Sequence, residues 1–305
     1  MNELEIIQHR QIEGLSLFLN TVDYRTAHLH AEWELIWVLE NSLSVICGQN
    51  HYQVKPGQLI LFNPNEPHEF RKMDDSCTFL CLQISSKILP ISSRLYVDAH
   101  FPHEYISPEE MRDVKDRLLD LMKAYLHQEK SYAIYCVGQC CLLCHLLFSR
   151  MPSRELTAEQ AANLDKRNAR LKRLLRFVDE NYMNKIRLSD FADTEGCSMS
   201  YLSHFVKDTM NQTFQEYVTS VRVNCAYKLI VAGGKRMLDI CMESGFSDYR
   251  YFSKAFRKQY GMTPEKYSRK SKGENGIADS RRSIHSEERF YSREESLILL
   301  EKLNH

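Results

Sequence analysis

The stretch GFSDYRYFSKAFRKQYGMTPEKY, which begins at Gly245 and ends at Tyr267, decides how the second half of this sequence folds. An earlier stretch, GCSMSYLSHFVKDTMNQTFQEY from Gly196 to Tyr217, repeats its pattern. The two copies align at an offset of 50 residues after the glycine region and of 49 residues before it. A repeat of this length indicates two copies of one supersecondary unit.

Each copy has the pattern of a helix, a tight turn and a second helix. Gly196 and Gly245 supply the permissive backbone that the turn needs. Ala192 and Cys241 are small residues at the place where the two helices of each unit would cross. The pattern predicts two helix-turn-helix units, a motif whose second helix enters the major groove of DNA.

The outward face of each second helix carries cations, hydroxyl groups and aromatic rings, which are the groups that bond base edges and phosphates. A connecting helix of about 18 residues would span ~27 Å, close to one turn of DNA at ~34 Å. One chain could then occupy two successive major grooves. The predicted DNA-binding residues are Ser200, Tyr201, Ser203, His204 and Lys207 in the first copy, and Tyr249, Arg250, Tyr251, Ser253, Lys254 and Arg257 in the second.

Charge is divided unevenly along the chain, although its 40 basic and 40 acidic residues cancel. Residues 1–164 contain 14 Lys and Arg against 21 Asp and Glu, whereas residues 165–272 contain 21 against 12. The basic block around the repeat favours binding to a polyanion. The cysteines are irregularly spaced, which predicts reduced thiols. The composition is ordinary and the N-terminus has no apolar core, so we expect a cytoplasmic protein with no membrane partner.

The two quoted stretches resemble the paired motifs of the AraC/XylS family of bacterial transcription regulators over about residues 170–270. The resemblance implies binding to double-stranded promoter DNA, more often with activation than repression, and RNA polymerase as a further candidate partner. Two positions depart from the family pattern. Asn211 stands where the second copy has Gly261, and asparagine tolerates left-handed backbone. His204 replaces the arginine usual beside Ser203, which weakens the expectation of a guanine contact at the first unit.

The first half of the sequence has a different period. From about residue 12 to 105, short alternating apolar stretches separated by turn signals predict a β-barrel. Ser107, Pro108 and Glu110 then form a capping box, and apolar residues at helical spacing predict a helical hairpin over about 108–149. The apolar stripes of the hairpin would pack on the barrel or on a second subunit, and a homodimer through these helices is the expected assembly.

These patterns predict an α+β protein of two domains. Residues 1–151 would form a cupin-like barrel with its helical hairpin, and a polar linker would follow over residues 152–168. An all-α domain with two helix-turn-helix motifs is predicted over residues 169–272. Residues 273–305 are predicted to be a polar tail with a short helix.

The segment HLHAEWELIWVLE, residues 28–40, carries the candidate site of the first half. Its residues His28, His30 and Glu34 are at even positions, so in an alternating strand their side chains share one face. Together with VKPGQLILFNPNEPHEF further on, the segment is similar to the paired motifs of cupin-type sensor domains. His68 in the second motif falls where metal cupins have a fourth ligand.

Two hypotheses follow for these four side chains. In the favoured one they bind a small-molecule effector, such as a sugar, whose hydroxyl groups imidazoles and a carboxylate could bond. Neither a cofactor nor catalysis is expected there, because a barrel fused to a DNA-binding domain needs to bind a small-molecule signal rather than to turn over a substrate. In the alternative they bind Fe, Mn, Ni or Zn in a metal-dependent cupin enzyme with a regulatory DNA-binding domain. Trp33 and Trp37 have the opposite parity and are predicted to pack on the outer face.

Overall fold

The structure, a computed structural model, describes residues 12–271 and 286–303. The alternating first half forms a nearly closed antiparallel barrel, and the second half is mainly helical, as predicted. The described strands are β1 (Leu15–His28), β2 (Glu32–Glu40), β3 (Leu43–Cys47), β4 (Asn50–Val54), β5 (Leu59–Phe62), β6 (His68–Lys72), β7 (Cys77–Ser85), β8 (Leu95–Val97), β9 (Ser153–Glu155) and β10 (Ser286–Phe290).

The described helices follow the periodic segments of the sequence. They are α1 (Pro108–His127), α2 (Tyr132–Arg150), α3 (Ala158–Asn181), α4 (Leu188–Glu195), α5 (Met199–Met210), α6 (Phe214–Ala232), α7 (Met237–Glu243), α8 (Tyr249–Tyr260), α9 (Pro264–Ser271) and α10 (Arg293–Leu303).

The long strand β1 organises the barrel. The sheet has the order β4-β3-β6-β1-β7-β2-β5, and β10 pairs with β1 outside this path. Residues 15–22 of β1 lie against β7, and its last residues lie against β6. Buried apolar side chains such as Ile36, Phe62 and Phe79 fill the interior. The end of β1, where His28 lies, is therefore positioned by partners that are distant in sequence.

The described part of the predicted polar tail is structured. β10 pairs antiparallel with β1, and α10 contacts α1, where Leu300 is buried. Asn20 Nδ2 donates a hydrogen bond of 2.7 Å to Glu288 Oε1, and Arg25 Nη1 lies 3.4 Å from the same oxygen. The predicted short helix is present as α10, whereas β10 was not expected, because a strand with two glutamates has the composition of a surface segment. Residues 273–285 of the tail lie outside the described residues.

The helical hairpin packs on the outer face of the barrel. Ser107 accepts a hydrogen bond from the Glu110 amide, which completes the predicted capping box. Trp33 packs on Phe148 of α2 with ring centroids 4.9 Å apart, and Trp37 lies in the same buried cluster. The outer-face packing predicted for both tryptophans is thus confirmed.

The segment predicted as a linker is ordered. β9 pairs with β8, and α3 begins at a capping box in which the Thr157 hydroxyl accepts from the Gln160 amide. The first buried residue of α3 is Asn168, so its opening turns are solvated and show no apolar period. The T-x-x-Q signature was the local signal of this helix start.

Both predicted helix-turn-helix units are present, as α4–α5 and α7–α8. Their turns contain Gly196 and Gly245, both with positive φ. At Gly245 a side chain is also excluded by space, because a Cβ atom would lie 2.6 Å from the Tyr182 carbonyl oxygen. Asn211 has φ +51°, so asparagine does adopt the left-handed backbone that Gly261 adopts in the second unit.

Candidate functional site

The ends of three strands bring the four predicted side chains together. His28 ends β1 and pairs in register with His68, the first residue of β6. His30 lies in the turn after β1, and Glu34 lies in β2. The three residues therefore do not share one continuous strand, as the alternation suggested, because the chain turns between His28 and Glu34. One ligand atom from each of the four residues nevertheless lies within 4.8 Å of the others.

Backbone carbonyl groups fix the imidazole tautomers. Nδ1 of His28 lies 3.0 Å from the Thr26 oxygen, Nδ1 of His30 lies 3.1 Å from the Glu32 oxygen, and Nδ1 of His68 lies 2.9 Å from the Glu66 oxygen. A carbonyl oxygen can only accept, so each Nδ1 carries the proton and donates it. In its neutral form each ring then presents the lone pair of Nε2 to the cluster. Histidine ligands of metals are usually oriented in this way.

The two oxygens of the Glu34 carboxylate have different partners. Its Oε1 accepts hydrogen bonds from Gln83 Nε2 at 2.9 Å and from Cys81 Sγ at 3.2 Å. Its Oε2 faces His68 Nε2 at 2.9 Å and His30 Nε2 at 3.3 Å. One oxygen is thus fixed by neighbouring side chains, and the other is directed at the lone pairs of the imidazoles.

Burial keeps two of the imidazoles neutral. Burial, with a further contribution from the charge of Arg25, holds the pKa of His28 well below its usual range. Burial also lowers the pKa of His68, although Glu34 offsets part of the effect. Burial alone would raise the pKa of Glu34, but its interactions with His30 and His68 hold that pKa well below the usual range. The carboxylate is therefore ionised in a site where burial disfavours the cationic forms of His28 and His68.

This donor set fits a divalent transition metal ion. The three Nε2 atoms and Glu34 Oε2 are buried, and while each ring carries its proton on Nδ1 none of the four has a hydrogen to share, although His68 Nε2 and His30 Nε2 lie 2.9 and 3.3 Å from Glu34 Oε2. Four converging acceptors without a donor are costly when buried. Three histidine nitrogens and one carboxylate oxygen are ligands that Fe, Mn, Ni or Zn accept.

A small pocket lies where the barrel meets the helical domain. It is lined by residues that include His68, Ala27 and Met210, and it has a volume of about 160 Å³, including its open mouth. Its lining does not include His28, His30 or Glu34, so the sugar effector that the sequence suggested stays a prediction.

The two recognition helices present nearly all of the predicted DNA-binding side chains to solvent. Phe252 and Phe256 form the buried face of α8, and Leu202, Phe205 and Val206 are buried on α5. The exposed residues are Ser200, Tyr201, Ser203, His204 and Lys207 on α5, and Arg250, Tyr251, Lys254 and Arg257 on α8, with Ser253 half-buried.

Tyr249 differs from the other predicted residues. It is half-buried, its hydroxyl donates a hydrogen bond to Glu265 of α9, and its ring packs on Phe252. Its contacts therefore stabilise the second unit from within. Sequence analysis missed Arg170 of α3, whose Nη1 donates a hydrogen bond of 2.7 Å to the Tyr201 hydroxyl. The basic run at the start of the helical half was the signal for this residue.

The barrel and the helical domain meet beside the histidine cluster. Ala27 and Leu29, which alternate with His28 and His30, pack in the apolar core of the first helix-turn-helix unit. Other contacts are polar. Gln212 Nε2 donates to Glu69 Oε2 at 3.0 Å, Gln49 Nε2 to Asp208 Oδ1 at 2.9 Å, and Lys172 Nζ to Asn65 Oδ1 at 2.8 Å. Sequence alone gave no signal for these pairs.

Comparisons with known proteins match both halves of the chain. The helix-turn-helix domain family matches residues 191–270, and the cupin domain family matches residues 22–83. The HTH-type transcriptional regulator YdeC of Bacillus subtilis is 21% identical over 285 residues, which are 88% of this chain and 96% of YdeC. The HTH-type transcriptional activator RhaS of Mannheimia succiniciproducens is 21% identical over 78% of this chain and 87% of RhaS.

Among solved structures, ToxT of Vibrio cholerae is 13% identical, with 86% of this chain and 100% of ToxT covered at a TM-score of 0.42. The family matches and the named relatives agree with the tandem helix-turn-helix units and the barrel described above. This chain is therefore a DNA-binding transcription regulator with an AraC-type helix-turn-helix domain and an N-terminal cupin domain.

Proposed function

We propose that this regulator responds to a divalent transition metal ion held in the barrel by His28, His30, Glu34 and His68. The four buried ligand atoms, which lack donors among the described residues, carry the proposal. An ion would supply the positive charge that the cluster needs. We propose a sensing role rather than catalysis because the barrel is joined to a DNA-binding domain, which needs a signal rather than turnover. Elemental analysis of the loaded full-length protein should find at least one equivalent per chain that the Glu34→Gln variant does not bind, and protein that binds none after loading would overturn the assignment.

The alternation of β1 supports a connection between this site and DNA binding. His28 and His30 face the cluster, while Ala27 and Leu29 pack in the core of the first helix-turn-helix unit. If metal binding displaces this end of β1, the displacement therefore acts on both the cluster and the core of the first helix-turn-helix unit. A signal shifts the population of DNA-binding arrangements only if its affinity differs between them.

The strand β6 supports a second connection. His68 faces the cluster, and the next residue, Glu69, points to the helical domain, where it accepts a hydrogen bond from Gln212 just after α5. Glu69 is 1% exposed and also accepts from Arg71 Nε through Oε1, so the loss of the Gln212 bond would remove one of the donors that hold this buried carboxylate. The position of His68 is thereby linked to the end of a recognition helix. Activation is the promoter outcome that we propose, in line with the name of the relative RhaS.

Arg250→Ala is expected to weaken binding to the specific promoter site by ~1–3 kcal/mol, because arginine bonds guanine in the major groove with two hydrogen bonds. Binding to random DNA should change far less. Titrations of full-length protein on both DNAs at several salt concentrations measure the difference. Arg94→Ala, at an exposed position of the barrel domain, is the control. An equal loss on both DNAs would reassign Arg250 to a phosphate contact.

We propose that α2 joins two copies of the chain in a cytoplasmic dimer. Ile134, Gly138 and Leu142 lie at helical spacing, and all three are exposed. A Cβ atom on Gly138 would meet nothing within 4 Å, which leaves room for a second helix. No charged side chain interrupts residues 132–149, so the surface suits an identical apolar stripe. By length and composition alone α2 could also cross a membrane, but its other face packs on α1.

Ile134→Asp is expected to convert the dimer to monomers, since a carboxylate at a position 78% exposed in the single chain would be buried between two copies. Sedimentation at several protein concentrations measures the change. Met183→Asp, which alters an exposed apolar residue of the helical domain, should leave the dimer intact. A wild-type protein that sediments as a monomer, or floats with lipid vesicles, would contradict the proposed dimer.

A further inference from the structure

We propose that Cys47, Glu66 and His100 form a second metal site, separate from the histidine cluster and suited to a zinc-class ion. Cys47 ends β3, Glu66 lies in the loop before β6, and His100 follows β8. One ligand atom from each residue lies within 4.8 Å of the other two. Cys47 is buried, and the other two side chains are partly open to solvent, so an ion has a route to the site.

The imidazole of His100 is held as a ligand would be. Its Nδ1 lies 2.9 Å from the Leu61 carbonyl oxygen and donates to it, which leaves the lone pair of Nε2 directed away from that carbonyl. Nε2 lies 3.6 Å from Glu66 Oε1, beyond hydrogen-bonding distance. With metal–ligand bonds of about 2.0–2.3 Å, the ligand atoms of a tetrahedral site lie roughly 3.3–3.8 Å apart. The observed separation is thus that of two ligands on one ion.

The two oxygens of the Glu66 carboxylate also have different partners, as do those of Glu34. Oε2 accepts from the amide of Asn63 at 2.9 Å and from its side chain at 3.1 Å. Oε1 faces His100 and has a long contact of 3.4 Å with the Tyr96 hydroxyl. The carboxylate also has a hydrogen bond with the Cys47 thiol. One oxygen therefore fixes the loop, and a cation bound by the carboxylate would take the place of the thiol proton.

The chemistry of this set differs from that of the first cluster. A thiolate, an imidazole and a carboxylate are the three ligand types of protein-bound zinc, and three protein ligands leave a fourth position for water. The thiol of Cys47 would release its proton to solvent on binding. The first cluster has no sulfur ligand, so the occupancy of each site can be measured separately.

The loop from Asn63 to Glu66 connects the second site with the first cluster and with the helical domain. The Glu66 carbonyl accepts from His68 Nδ1, and the Asn65 amide donates to the His30 carbonyl at 2.6 Å. Asn65 also accepts from Lys172 of α3. An ion on Glu66 would therefore fix the loop that orients two residues of the first cluster and contacts the helical domain. The ligand geometry of the second site stands whether or not the first cluster binds metal.

Cobalt(II) added to full-length protein tests the site, because a thiolate ligand gives a charge-transfer band in the near ultraviolet. We expect the band in the wild type and its loss in Cys47→Ser. His100→Gln, which keeps a donor for the Leu61 carbonyl, should weaken cobalt binding at least 10-fold, roughly the effect of losing an outer-shell partner. Cys197→Ser, at a half-buried thiol of the helical domain, is the matched control and should keep the band.

Two outcomes would overturn the proposal. One is a wild type without the band, and the other is a band that persists in Cys47→Ser. If Cys47→Ser does not fold, as judged by circular dichroism, unchanged cobalt affinity in His100→Gln is the overturning result. Glu34→Gln should lower the total cobalt stoichiometry and leave the band, so failure of the first site is distinguishable from failure of the second.

Discussion

Glu34→Gln is expected to reduce the affinity of the barrel for divalent transition metal ions by more than ~100-fold, the upper range for loss of an outer-shell partner. The amide keeps the shape of the carboxylate and can still accept from Gln83 through its oxygen. Its NH₂ group would face His68 Nε2 and donate the hydrogen that this atom lacks in the wild type. The metal-free variant should therefore be at least as stable as the metal-free wild type.

Thermal unfolding with and without added metal measures this effect. Metal at 100 times its Kd for this site should stabilise the wild type by ~2.7 kcal/mol more than it stabilises Glu34→Gln, which keeps only the second site. Glu40→Gln is the matched control, because that carboxylate is at the exposed end of the same strand and outside the cluster. Equal metal-induced stabilisation of Glu34→Gln and the wild type would contradict the proposed site. A wild-type affinity for DNA that does not change when metal is added would contradict the proposed sensing role.

Glu288→Ala is expected to lower the free energy of unfolding by about 3–5 kcal/mol, the usual cost of removing one partner of a buried ion pair. The side chain of Glu288 is 1% exposed, and that of Arg25 is 12% exposed. The substitution also removes the acceptor of the Asn20 amide. Chemical denaturation of the full-length protein measures the loss.

A double-mutant cycle separates the pair from general damage to β10. Arg25→Ala combined with Glu288→Ala should cost less than the sum of the two single changes, because neither charge is then left alone. Glu301→Ala, at an exposed position of α10, should stay within ~0.5 kcal/mol of the wild type. Strict additivity of the two single changes would show that the pair contributes nothing specific.

The helical half could be predicted because its determinants are local. Turn glycines, capping residues and apolar positions at helical spacing all lie within each unit, and the internal repeat doubles the signal. The hydrogen bond of Tyr249 to Glu265 could not be predicted because Glu265 belongs to α9, outside the unit. The start of α3 was missed for the opposite reason, since its solvated turns show a capping box and no apolar stripe.

The four residues of the histidine cluster could be predicted from motif and parity, although the turn between His28 and Glu34 could not. The side chains that contact these four residues could not be predicted. Gln83 and Cys81 become partners of Glu34 only because β2 and β7 are adjacent in the sheet. The second cluster joins three segments whose proximity depends on the closure of the barrel, so no spacing of cysteine, glutamate and histidine in the sequence indicates it.

The pairing of β10 with β1 has a consequence for the order of synthesis. Asn20 leaves the ribosome long before its partner Glu288 is made, since 268 positions separate them. Until then β1 presents an open edge, a template to which other chains can add. The nascent barrel must therefore wait for the whole DNA-binding half to emerge. A fragment that stops at residue 151 would retain that open edge permanently, and it would be prone to aggregate where the complete chain is not.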